Sequence, residues 1–154
     1  MLYDPRIERR AKRRTDALKR VEQIDKVIAR LENDGWCQGI YHVLLNDATP
    51  IDAAVITEAL ASGRKLEWHE MFRLSEQHCL VGAILASVPV PRSGFYALVA
   101  RQLPRHYCAQ ASPTTRLIEY NDTVRSVSSV MRLLHKARAR QVKRAGLCTP
   151  EVCS

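Results

Sequence analysis

Cysteine and histidine offer the widest chemistry, so their spacing is read first. The five cysteines stand at 37, 79, 108, 148 and 153, an odd number without a Cys-x-x-Cys. A zinc site needs four convergent thiolate or imidazole ligands, usually from close pairs. The pairs on offer are His78-Cys79, His106-x-Cys108 and Cys148-x4-Cys153, and none has zinc-finger spacing. His78 and Cys79 are adjacent, so on a helix they point about 100° apart. Neither a metal nor a cofactor is expected. The chain also lacks a phosphate-cradling glycine loop, His-Glu-x-x-His and Gly-x-Ser-x-Gly.

A cysteine nucleophile needs a thiolate in a partly exposed, electropositive setting. Cys37 beside Gln38, and Cys108 near Arg105 and His106, are the candidates, with no local signature behind either. Glu67-Trp68-His69-Glu70 gathers two acids, an imidazole and an indole. Trp36, Cys37, Trp68 and His69 therefore form a possible small-molecule or enzymatic site. The competing reading makes Glu67–Glu70 the first turn of a helix, where acids meet the positive end of the dipole. Asp122 reads as a helix cap before it reads as a functional carboxylate. The balance is against an enzyme.

Charge is the stronger signal. Residues 1–20 hold eight Lys/Arg against three Asp/Glu, and residues 132–144 hold six Lys/Arg and no acid. The other 121 residues net −3, so the overall +8 lives at the two ends. Same-sign clusters repel themselves unless an anion or an acidic partner is near. Arginine outnumbers lysine in both clusters, and its planar fork suits phosphate. Arg9, Arg10, Arg13, Arg14, Arg138, Arg140, Lys143 and Arg144 are the candidate contacts to nucleic acid or a nucleoprotein. No recognition-helix signature and no stacking aromatics accompany them, which argues against reading of base sequence. The alternative partner is an acidic surface of a host protein, with this chain as its regulator or inhibitor.

The elements that position these residues read as helices. A chain of 154 residues with 46% apolar and 26% charged residues is globular and builds one domain, or a domain plus an arm. No run approaches the ~20 apolar residues of a membrane span. With no signal peptide evident and reduced thiols expected, the cytoplasm is the predicted compartment and no membrane partner is expected.

Gln77–Val88 is the densest apolar run without formal charge and predicts a central helix buried on most sides. Its small residues Gly82, Ala83 and Ala86 allow another backbone close. Asp4-Pro5 opens a first helix that runs to Asn33 and stops at Gly35. Its seam of Ala17, Val21, Ile24, Ile28 and Leu31 has coiled-coil spacing. That seam packs on its own domain or forms a homodimer through the N-terminal helix. Ile40–Leu45 is a strand or a helical turn. Thr49-Pro50 starts a helix that stops at Gly63. Leu66–Val88 is one helix or two, with a break at Ser75-Glu76-Gln77. Phe95–Leu103 is a helix ended by Pro104, and 105–113 is a loop. Asn121-Asp122-Thr123 caps the last helix, whose stripe is Val124, Val127, Met131, Leu134 and Val142, with Gly146 at its end.

Three fragments go together. Gly35-Trp36-Cys37-Gln38-Gly39 resembles the Gly-Trp-x-Gln-Gly of a small uncharacterised bacterial and phage family. Cys79-Leu80-Val81-Gly82-Ala83 resembles its Cys-x-x-Gly-Ala helix. Tyr120-Asn121-Asp122, followed by Val127 and Leu133-Leu134, resembles its Trp-Asn-Asp cap and final helix, with tyrosine in place of tryptophan. The resemblance spans roughly residues 18–137 and carries no known activity or site. The expected architecture is all-α: a single compact domain of five or six helices whose first and last helices are basic. It divides into a basic arm over 1–16, the domain over 17–146 and a loose tail over 147–154.

Overall fold

The computed structural model describes residues 4–38, 42–43, 61–63, 77–88, 93–107 and 110–147. The first helix, α1, is Pro5–Asp34. Asp4 is extended, and its carboxylate accepts from the Arg6 N–H at 2.8 Å, satisfying an orphan donor of the first turn. Gly35 ends α1 at φ 91°, its N–H donating to the Leu31 carbonyl. Residues 4–16 are exposed throughout. From Ala17 onward α1 buries Ala17, Ile24, Val27, Ile28 and Leu31. The seam that would suit a two-chain coil is thus used inside the chain.

Strands β1 (His42–Val43) and β2 (Gln77–His78) pair antiparallel. The strand reading of Ile40–Leu45 therefore holds at 42–43. Gln77 and His78 are drawn out of the expected central helix by this ladder and by two further backbone bonds. His78 N–H donates to the Gly35 carbonyl, and Cys37 N–H to the His78 carbonyl. Helix α2 is accordingly Leu80–Ser87, with Cys79 as N-cap and its Sγ accepting from the Gly82 N–H at 3.2 Å. It ends at Val88, which is extended because it precedes a proline. Leu80, Val81, Gly82, Ala83, Ile84 and Ala86 are buried, as a central helix requires.

Helix α3 is Ser93–Ala100, and a 3-10 turn follows Pro104 at Arg105–Tyr107. Helix α4, Pro113–Thr123, stands where the sequence reading put the end of a loop. Ser112-Pro113 is its start signal: Ser112 Oγ accepts from the Thr115 N–H, and Pro113 sits in the first turn. Asn121-Asp122-Thr123 therefore closes α4 instead of capping the last helix. Helix α5, Val127–Arg144, starts after Ser126 and buries Val130, Leu133, Leu134, Ala137 and Gln141. Of the expected stripe only Leu134 is fully buried; Val124, Val127, Met131 and Val142 are half-buried flank. Gly146 does end the helix, at φ 72°.

The five α-helices among the described residues make an all-α domain. Helix α1 lies along α5 and α2, α3 packs on α4 and α5, and α2 also meets α4. Ile24, Leu80, Ile84, Val99, Leu117, Val130 and Leu134 are sealed from solvent, each worth about 1.5–3 kcal/mol of burial. Arg138 pairs with Asp25, and Gln38 reaches the Val124 carbonyl. One step back along α5 is thus a step forward along α1, and the two helices run antiparallel. No helix among the described residues is long and apolar enough to cross a membrane. The expected helix from Thr49 lies outside the described residues, although Gly63 shows the positive φ of a stop. Of the tail over 147–154, only Leu147 is described.

Candidate functional site

Two polar constellations form. The first gathers around Asn121, whose side chain is sealed from solvent. Its Oδ1 accepts from Trp36 Nε1–H at 2.7 Å and from the Leu80 N–H at 3.0 Å. Its Nδ2 donates to the Cys37 carbonyl at 3.0 Å and to Asp122 Oδ1 at 3.1 Å. That satisfies all four hydrogen bonds an amide side chain can make. The Gln38 amide adds bonds to the Asn121 and Val124 carbonyls. Nearby, His78 Nε2 lies 3.0 Å from Asp34 Oδ2, which also accepts from Arg30. The three sequence fragments thus converge on one knot. Asn121 was read as a cap; its spacing of four from the buried Leu117 marks it as a core-facing position of α4.

The knot does not prepare a nucleophile. Burial, then the nearby Cys79 and Asp122, push the Cys37 thiol up to about 11. Burial raises Cys79 as well. Both therefore stay protonated near neutrality, whereas attack needs a thiolate. Trp36 is half-buried with its indole N–H committed to Asn121. Trp68 and His69, the other half of the possible small-molecule site, lie outside the described residues, as does Cys108. His106 sits in the exposed 3-10 turn. No three His, Cys, Asp or Glu side chains gather as a metal site among the described residues.

The second constellation is basic and belongs to α5. Arg138 is drawn to the α1 side, where Nε and a terminal nitrogen meet the two Asp25 oxygens at 2.6 and 3.3 Å. It is a cross-helix tie, and so differs from the free phosphate contact read from the sequence. Arg132, Lys136, Arg140 and Arg144 follow at four-residue steps and share the opposite flank of the helix. Lys143 joins them there.

This flank forms one wall of a groove. One section, about 500 Å³, lies between Arg132 and Lys136 on α5 and Gln102–Arg105, with Tyr120 and Leu133 also lining it. The next, about 470 Å³, is lined by Leu98, Arg101, Gln102, Arg140, Gln141, Lys143 and Arg144. Gln102 borders both, so the sections adjoin. Among the described residues, seven cations and no carboxylate line them. Arg101 has no signal of its own in the sequence, and Arg105 stands out there only as a neighbour of Cys108, because both come to the groove from the turn after α3. Arg132 and Lys136 were countable as charge, and their spacing was the available signal.

The α1 arm leaves from the same end. Extending the register of the Arg138–Asp25 pair puts the end of α5 abreast of about residue 19 of α1. Arg9, Arg10, Arg13 and Arg14 lie beyond that point, exposed and unpaired with any acid among the described residues.

These features define a small all-helical domain, tied at one end by a buried polar knot and cationic at the other. The chain belongs to DUF6197, a family of unknown function, whose sequence profile matches residues 17–140. No curated protein and no solved structure matches it. The knot lies wholly inside the matched span, whereas Arg9–Arg14 and Gln141–Arg144 lie outside it.

Proposed function

We propose that this protein is a non-enzymatic module that binds nucleic acid, free or within a nucleoprotein, through arginine and lysine contacts to phosphate. The observation that carries the reading is the groove whose described lining is cationic and without a carboxylate, with its cations at four-residue steps along α5. The arm cations at the same end extend it. Such contacts bind largely without regard to sequence and release counterions, so they weaken with salt. The cytoplasm is the compartment that goes with this reading.

The test is anisotropy of labelled oligonucleotides of several random sequences, titrated over a salt series. Binding should fall steeply, with a log–log slope of about −0.9 for every duplex phosphate contacted, and alike for all sequences. Absence of binding at low salt overturns the reading and favours an acidic protein surface instead. Binding that resists salt and follows base sequence overturns the phosphate mechanism.

A further inference from the structure

We propose that the α5 groove takes a single nucleic-acid strand, with one nucleotide seated against Gln141. The proposal rests on the nucleic-acid reading and names the form of the polymer.

The first argument is shape. Cations face the groove from both sides: Arg101 and Arg105 on one wall, Arg132, Lys136, Arg140 and Arg144 on the other. A duplex is a broad convex cylinder that meets only the rim of such a groove. A strand lies between the walls and reaches both. Four residues of helix rise about 6 Å, a step comparable to that between successive phosphates of an extended strand. Each section has the volume of a site for a small ligand, which suits nucleotides taken one after another.

The second argument is Gln141. It is 4% exposed and lines the groove, and its Oε1 is buried without a hydrogen-bond partner. Such an orphan acceptor costs about 1–3 kcal/mol. Among four surrounding cations it would suit a donor brought by the occupant. Phosphodiesters carry no donor; bases carry amino and imino N–H groups, and ribose carries a 2′-hydroxyl. The occupant therefore combines anionic groups with donors, as a nucleotide chain does and a bare polyanion does not. Leu98 gives the same section an apolar surface for the face of a base.

The experiment compares a labelled single strand of mixed sequence with the same strand annealed to its complement, using the full chain and inorganic polyphosphate as competitor. The strand should bind about tenfold more tightly than the duplex, with a slope of about −0.7 per phosphate. Gln141→Leu should weaken strand binding about three- to tenfold, the worth of one hydrogen bond. It should leave polyphosphate binding unchanged. The surface pair Arg101→Ala with Arg105→Ala, which leaves the core intact, should weaken strand more than duplex. Equal or tighter duplex binding overturns the strand proposal while leaving the nucleic-acid reading standing. So does polyphosphate that competes as well as the strand, or a Gln141→Leu protein with unchanged strand affinity. Binding of neither form overturns both.

Discussion

The knot and the groove treat polar atoms in opposite ways. At the knot, Asn121 completes every amide hydrogen bond inside the chain. In the groove, the described lining holds seven cations and no carboxylate, and Gln141 keeps a buried oxygen unmatched. A satisfied buried network fixes one arrangement of the backbone. An unsatisfied one costs stability that an occupant can return. The first region therefore specifies the fold, and the second is where the proposed partner would gain most. The family match contains the whole knot and also Arg101, Arg105, Arg132, Lys136 and Arg140 of the groove, leaving out Gln141, Lys143 and Arg144.

The largest effect should separate the two regions outright. Asn121→Ala strands the Trp36 indole, the Leu80 N–H and the Cys37 carbonyl, and should cost about 3 kcal/mol in denaturant melts. Replacing Arg132, Lys136, Arg140 and Arg144 together by glutamine should change stability by under about 0.5 kcal/mol while stripping binding. If the two variants destabilise equally, the division fails. Gly82→Leu comes next. Gly82 is buried in α2, which packs against α1 and α4, so the added side chain should overpack and cost about 1–3 kcal/mol. An unchanged melting temperature would show that α2 is not central.

The smallest effect is alkaline. The Cys37 thiol is raised in the folded chain, so folding favours its protonated form. Stability should be full below the ordinary thiol value of 9.0 and decline as pH climbs towards about 11. Chemical denaturation across that window measures it, and Cys37→Ala should make the decline shallower, leaving the share that the raised Cys79 thiol contributes.

Much of the helical layout was legible because its signals are local. Asp4-Pro5, Gly35 and Gly146 punctuate the chain where the structure turns. The apolar run at Leu80–Ala86 could only be interior. What escaped was set by partners distant in sequence. Gln77 and His78 read as helix until a strand and Gly35 claim their backbone. Asn121-Asp122-Thr123 has the composition of a cap, yet Ser112-Pro113 starts a helix early enough to include it. Of the site, the charge of α5 was visible, but not its two flanks. Asp25 assigns Arg138 to one, and the turn after α3 brings Arg101 and Arg105 to the other.

The knot also bears on the order in which the chain acquires its shape. The Trp36–Asn121 bond joins residues 85 apart, and the Leu80–Asn121 bond spans 41. Closing loops of that length is entropically slow, and the benefit arrives only once both ends are present. During synthesis, the emerging α1 therefore has α2 to cover part of its apolar face, and the rest waits until α5 has left the ribosome. Helix α5 thus supplies both the larger share of the cover for α1 and most of the cations of the groove.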